Sequence, residues 1–237
     1  MIIQSIHSFI RNASGYLREA KKAESGHSQV IRARYARRFF DELKITYSGP
    51  SKEEIESRGS CIYVANHTSM LDAVIICCFF EGDLRILAKE SLFSVPWLGR
   101  ILRLEKHIKV ARGKKASARN ASIRESIKTA ISEGASVFFF PEGTRSTTGK
   151  LGKFRHGAFY NAIETGVPIV PVVIRGALER LPKGSIQIKP GHISMELLPS
   201  IPIPDESMGD LTTRATYLSN KASEAISKAL ESEPNKP

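Results

Sequence analysis

From Ile45 onward the chain alternates short apolar runs with stretches of helical periodicity, a pattern that favours a sheet flanked by helices. Strands are expected at Ile45–Tyr47, Cys61–Ala65, Leu84–Ala88, Ile108–Val110, Ser136–Phe140, Ile169–Ile174, Ser185–Lys189 and Ile193–Leu197. Helices are expected between most of them. Met70–Phe80 is nearly all apolar and reads as a buried helix. Ala116–Ser132 sets Ile123, Ile127, Ala130 and Ile131 on one side, with Gly134 just beyond its end. Ala158–Thr165 ends likewise at Gly166, and an amphipathic helix spans about Leu211 to Leu230. Glycine is a common helix stop because it adopts the left-handed conformation without a Cβ penalty. The expected fold is α/β, a single domain over 45–231 with a mixed central sheet flanked by helices. A flexible tail is expected over 232–237.

Residues 1–44 form a different kind of segment. Ile2, Ile3, Ile6, Phe9, Ile10, Ala13, Tyr16 and Leu17 recur at helical spacing as one apolar stripe, with Arg11, Arg18, Lys21 and Lys22 as cations. Gly26 interrupts the pattern. A second helical stretch, about Ser28 to Leu43, carries Ile31, Tyr35, Phe39 and Leu43 on one face, with Arg32, Arg34, Arg37 and Arg38 around it. Two readings stay open: an interfacial membrane anchor, or a helical hairpin that caps the core. No run reaches the roughly 18 apolar residues of a spanning helix, and no positive segment precedes an apolar core as in a secretory signal. The expectation is a peripheral or monotopic position on the cytoplasmic face of a membrane.

Composition narrows the partners. At 237 residues and 41% hydrophobic, the chain can bury a core as one domain. Its formal net charge of +11 calls for anionic partners: a membrane surface, phosphorylated metabolites, acidic proteins or nucleic acid. Nucleic acid is set aside, because no recognition helix, finger or aromatic RNP pattern is present. Cys61, Cys77 and Cys78 fit neither a disulfide framework nor a zinc site, and read as reduced, buried thiols. A metal-dependent phosphoesterase would need a further cluster of His and Asp ligands, and none is visible.

Two segments carry chemistry. Strand Cys61–Ala65 runs directly into Asn66-His67-Thr68-Ser69-Met70-Leu71-Asp72, placing an imidazole at the C-terminal edge of a sheet, where α/β ligand sites gather. Asp72, in the first turn of the next helix, is spaced to reach back to that ring. A carboxylate on Nδ1–H fixes the tautomer and leaves Nε2 to accept a proton. The bland alternative is a structural histidine beside a Ser69/Asp72 capping pair. Downstream, Phe140-Pro141-Glu142-Gly143-Thr144-Arg145-Ser146 ends an apolar strand in a loop with one acid and one arginine. Gly143 lets backbone approach a ligand, and Arg145 offers a planar fork for phosphate oxygens. Glu142 is unsuited to phosphate, so it should bind a hydroxyl or hold an arginine, with Arg112 the expected partner.

With these blocks in place the sequence resembles the glycerolipid acyltransferase family, typified by 1-acylglycerol-3-phosphate acyltransferases. Asn66–Asp72 fits the family's His-x4-Asp motif, Ile108–Arg112 its arginine-ending second block, Phe140–Ser146 its third and Val167–Ile174 its fourth. Lys89, Pro96 and Gly99 also stand where such proteins carry them. Ala111 departs from the pattern where an acid is common, and Lys106 where a glycine is common. The resemblance implies that His67 deprotonates an acceptor hydroxyl, that Asp72 orients it, and that Arg112, Glu142, Gly143, Thr144 and Arg145 bind the glycerol-phosphate part. It implies direct transfer with no bound cofactor or metal. The donor would be acyl-CoA or acyl-carrier protein, and the acceptor a membrane lysophospholipid, foremost 1-acylglycerol-3-phosphate giving phosphatidate. A lyso-aminolipid acceptor is the nearest alternative, and a non-catalytic membrane-surface lipid-binding protein the alternative from another class. The cationic run over residues 99–128 fits the phosphates of coenzyme A, an acidic carrier protein or anionic lipid, or is simply a solvated basic face.

Overall fold

The computed structural model describes residues 2–23, 27–111 and 116–232. Its strands are β1 (Ile45–Ser48), β2 (Ile62–Ala65), β3 (Leu84–Lys89), β4 (Ile108–Val110), β5 (Ser136–Phe139), β6 (Ile169–Arg175) and β7 (Gly191–Leu197). They form one sheet in the order β1-β7-β6-β2-β5-β3-β4. β6, β2, β5, β3 and β4 run parallel, while β7 is antiparallel to β6 and parallel to β1, so the sheet is mixed. The C-terminal ends of β2, β5 and β3 therefore share one edge, and the motif loops leave from it.

The helices are α1 (Ile2–Ala20), α2 (Ser28–Glu42), α3 (Lys52–Glu56), α4 (Leu71–Phe79), α5 (Leu98–Leu104), α6 (Ala116–Ser132), α7 (Gly157–Thr165), α8 (Ala177–Arg180) and α9 (Leu211–Glu231). They cover both faces of the sheet. β2 shows why its sequence is apolar throughout: all four residues are buried, as a central parallel strand requires. Tyr63 and Ala65 face α2 and α4 with Phe40, Leu71, Ile75 and Ile76. Ile62 and Val64 face α6, α7 and α9 with Ile127, Phe159, Leu218 and Ile226.

One expected strand is absent. Ser185–Lys189 is irregular, with Ile186 65% exposed, Ser185 Oγ bonding within the segment and the Lys189 N–H spent on Arg180 O. Its alternating pattern has no second apolar side to bury, and β1 already pairs with β7. Four short elements carried no periodic signal long enough to read: α3, α5, α8 and a 3-10 turn over Glu90–Ser94. α3 starts where the Ser51 side chain accepts the Glu54 N–H. The flexible-tail expectation, from residue 233 on, lies outside the described residues.

The stripe on α1 divides along its length. Ala13, Tyr16 and Leu17 are buried, and Phe9 meets Phe39 edge-on at 6.4 Å. Ile2, Ile3 and Ile6 stay in solvent, Ile3 at 83% exposure. Glu42 holds the pair together, its carboxylate taking Ser8 Oγ, Asn12 Nδ2 at 2.9 Å and the Arg11 guanidinium at 2.7 Å.

A buried ionic cluster then fastens both helices to the sheet domain. Arg32 pairs with Glu105, which also accepts the Tyr16 hydroxyl, and Arg32 Nη2 donates to Phe80 O at 2.8 Å just beyond α4. Burial, reinforced by Glu105, raises the Tyr16 phenol well above its ordinary value, so it stays a donor. Removing one partner of such a pair leaves an uncompensated charge. Glu105→Ala should therefore lower unfolding free energy by about 3–5 kcal/mol, read as a shifted urea midpoint. A loss within experimental scatter would mean that Arg32 finds compensation elsewhere.

Candidate active site

His67 stands at the first turn beyond β2, and its geometry follows from how that turn is held. Asn66 is pinned to β6 by a reciprocal pair, Nδ2 donating to Ile174 O and Oδ1 accepting the Ile174 N–H, both at 2.8 Å. Ser69 Oγ donates to Leu181 O at 2.8 Å. Between them Asp72 is fully buried, and Oδ2 accepts three bonds: His67 Nδ1 at 2.8 Å, Thr68 N at 2.7 Å and Ser69 N at 2.8 Å. The carboxylate thus closes the start of α4 as a cap and orients the imidazole at once. The two readings of Ser69-x-x-Asp72, cap and catalytic partner, are not exclusive.

With Nδ1–H donated to Asp72, Nε2 lies on the far edge of the ring and hydrogen-bonds no described residue. The ring stacks on Phe140, centroids 4.0 Å apart and planes 21° from parallel. Asp72 resists rotation about the ring normal, and Phe140 resists tilt. What remains is a base aimed in one direction, with its side chain 21% exposed.

The loop after β5 is tied to the same turn. Glu142 is buried; Oε1 accepts the His67 N–H at 2.8 Å and Oε2 the Gly152 N–H at 2.9 Å. Ser146 N donates to His67 O at 2.8 Å. Arg112, expected to pair with Glu142, lies outside the described residues, and both Glu142 oxygens are spent on backbone. Burial raises the Glu142 carboxyl above its ordinary range, against the lowering pull of the two N–H donors. Gly152 is required here, because a Cβ would stand 2.7 Å from Glu142 Oε2.

Gly143, at φ 69°, takes the left-handed turn that sends the chain outward, and the Arg155 side chain passes over it. Thr144 is exposed, and its Oγ1 accepts from Lys183 Nζ at 3.3 Å. Arg145 is half-buried, and its guanidinium pairs with no described carboxylate. Lys89 ends β3 on the same sheet edge. The fold brings His67, with Asp72 in the first turn of α4, next to the loop that carries Glu142, Gly143, Thr144 and Arg145. Sequence reading did not find the Phe140 stack, the Gly152 tie or Lys183. Lys183 sits in a Pro-Lys-Gly turn with no local signal, whereas Phe140 lay inside the motif and needed only the strand register.

A model of the acyltransferase family matches residues 44–175, more than half of the chain. The chain belongs to the acyltransferase family. Among relatives of this acyltransferase-family chain, the 1-acyl-sn-glycerol-3-phosphate acyltransferase of Escherichia coli K12 is 30% identical over 161 residues, 68% of this chain and 64% of that protein. The chloroplastic 1-acyl-sn-glycerol-3-phosphate acyltransferase BAT2 of Brassica napus is 37% identical over 125 residues, 53% of this chain and 36% of that protein. The Limnanthes alba enzyme of the same name is matched over 54% of its length, so the chain spans about half or less of these plant proteins. The fold is shared with the crystal structure of the 1-acyl-sn-glycerophosphate acyltransferase of Thermotoga maritima, at a TM-score of 0.75 and 20% identity over 98% of this chain and 97% of that one.

Glu142→Gln tests the loop ties. The amide keeps one acceptor oxygen but turns an NH2 toward the other backbone N–H. Misplacing the base by about an ångström should cost on the order of 10–100-fold in turnover, with only a small loss of thermal stability. Full turnover in the folded variant would show that the two loops hold their register without the carboxylate.

Proposed function

We propose that this chain moves a fatty acyl group from an acyl thioester to the free hydroxyl of a lysophospholipid, with 1-acylglycerol-3-phosphate as acceptor and phosphatidate as product. The observation that carries the reading is the His67–Asp72 pair, with Nε2 hydrogen-bonded to no described residue beside a loop whose Arg145 pairs with no described carboxylate. A base and an anion site a short reach apart fit an acceptor bearing both a hydroxyl and a phosphate. The names of the relatives point the same way.

In the proposed reaction His67 Nε2 takes the acceptor's hydroxyl proton as the oxygen attacks the thioester carbonyl. Imidazolium charge is balanced by Asp72 and faces the π-cloud of Phe140. The tetrahedral intermediate collapses with cleavage of the C–S bond, and the departing thiolate takes the proton back from Nε2. Base and leaving-group acid are thus one group, and no acyl-enzyme forms. Arg145 grips the phosphate, aided by the Thr144 backbone and by Arg112, while the Gly143 N–H is spent on Phe140 O and Gly143 serves by its turn. Glu142 acts through position, by holding the two loops. The donor is acyl-CoA or acyl-carrier protein.

His67→Ala should lower thiol release by about 10²–10⁴-fold, the usual value of a positioned base, with folding intact. Near-normal turnover by folded His67→Ala would remove the mechanism. Arg145→Lys should raise the KM for a phosphate-bearing acceptor several-fold and leave the donor's KM alone, because an ammonium cannot grip two oxygens in a planar fork. A panel of lyso-acceptors makes the same variant diagnostic: if a lyso-aminolipid is used faster than lysophosphatidate and Arg145→Lys leaves its KM unchanged, the acceptor is the aminolipid.

An amphiphilic acceptor brings the site to a bilayer. Among the described residues no helix is long and apolar enough to cross one, so the proposed position is peripheral, on the cytoplasmic face, through Ile2, Ile3 and Ile6 of α1. Ile3→Asp with Ile6→Asp should release the protein from anionic vesicles in flotation and spare activity on a short, soluble acceptor. Undiminished flotation would refute α1 as the anchor.

A further inference from the structure

Beside α1 lies a surface groove of about 920 Å³ that the acyl-transfer chemistry does not use. Its apolar floor is Leu17 of α1 with Trp97 and Leu104 at the two ends of α5. Arg18, Lys21 and Lys22 line it from the end of α1, and Arg100 and Arg103 from α5. No described acidic side chain lines it, and Arg18, Lys21, Lys22 and Arg100 form no ion pair with a described carboxylate.

The groove continues the exposed stripe. Ile3, Ile6, Ile10, Ser14, Arg18 and, just past the helix end, Lys21 follow one another at steps of three and four residues, one line along the surface of α1. A flat anionic surface lying along that line would cover the isoleucines and reach the cations together. An acidic protein would match only the cationic end.

Trp97 supplies a second observation. It has φ 58° and ψ −53°, a conformation L side chains rarely adopt, and the Leu98 N–H reaches Pro96 O at 2.7 Å to close a three-residue turn around it. The packing behind leaves little choice: a Cβ on Gly99 would stand 2.1 Å from Phe93 O, so the chain must turn sharply before α5. The outcome is an indole 36% exposed, with Val95 and Leu104 similarly exposed nearby. A strained backbone that sets a large ring in solvent among arginines and lysines is arranged for an interface, since indole favours the headgroup depth of a bilayer.

We propose that this groove seats the headgroup of an anionic phospholipid in the bilayer surface, with Trp97 and Leu104 entering the headgroup–acyl boundary and Arg18, Lys21 and Arg100 holding the phosphate. The proposal rests on the membrane-surface position given above and adds a second contact, on α5, to the one on α1. Because the 3-10 turn Glu90–Ser94 and Pro96 follow the C-terminal end of β3, this contact begins at the sheet edge that carries His67.

Trp97 is the chain's single tryptophan, so its emission reports on the groove alone. The full chain is titrated with vesicles of phosphatidylcholine, with and without phosphatidylglycerol, and with the same mixtures brominated on the upper acyl chain. Emission should shift to the blue and be quenched by brominated lipid with the anionic vesicles only. Arg18→Glu with Arg100→Glu should weaken vesicle affinity at least about tenfold. Trp97→Gly suits the local backbone, so it should keep or raise Tm while vesicle affinity falls several-fold. Unmoved Trp97 emission while the protein floats with anionic vesicles would overturn the groove and leave the α1 anchor standing. Quenching that survives Ile3→Asp with Ile6→Asp would support the groove even as the α1 anchor falls. A shift produced by soluble acyl-carrier protein, and none by vesicles, would assign the groove to a protein partner and overturn the proposal.

Discussion

The rest of the site depends on one buried anion. Asp72 is shut off from water, and a carboxylate in that position is tolerable only if donors surround it. Thr68 and Ser69 supply two from the backbone and His67 supplies the third, all to Oδ2. Each bond constrains the chain between β2 and α4, so the turn has one shape in which Oδ2 is satisfied, while Oδ1 is buried with no hydrogen-bond partner among the described residues. The direction of the imidazole is therefore not chosen by the imidazole. It follows from the electrostatic requirement of a residue five positions later, helped by the positive end of the α4 dipole.

A second acid repeats the principle over a longer distance. Glu142 joins the His67 backbone to the Gly152 backbone, one oxygen to each. Its negative charge is absorbed inside the protein, and the cations of the neighbouring loop, Arg145 foremost, face outward with their charge uncancelled. That division lets a loop containing an acid still present to the outside a guanidinium that pairs with no described carboxylate. Acid inside and base outside is a packing arrangement, set by Gly143 turning outward and Gly152 leaving room for Glu142.

Much of this was legible in the chain. The His67–Asp72 spacing is a local property of a turn and a first helical turn, and the β5 loop announces itself by an apolar strand ending in Pro-Glu-Gly. Helices with full periodicity and a glycine stop, such as α6 and α7, were bounded nearly to the residue. Ser185–Lys189 misled because alternation records which residues have one apolar side, not whether a neighbour exists to cover it. The two backbone N–H groups that Glu142 accepts went unread, because no sequence pattern displays them. α5 was invisible because its seven residues are fixed by the fit of Gly99 on Phe93, a contact between neighbouring turns and not a periodicity.

The Arg32–Glu105 cluster has a consequence for anyone who wishes to handle this protein in water. Cutting away the first two helices would leave Glu105 without Arg32 and Tyr16, the Phe80 carbonyl without its donor, and the places of Phe39 and Phe40 in the core empty. The exposed Ile2, Ile3 and Ile6 and the buried Ala13, Tyr16 and Leu17 belong to successive stretches of the same helix. Changes at the exposed side chains therefore leave the core contacts standing, whereas shortening the chain removes them.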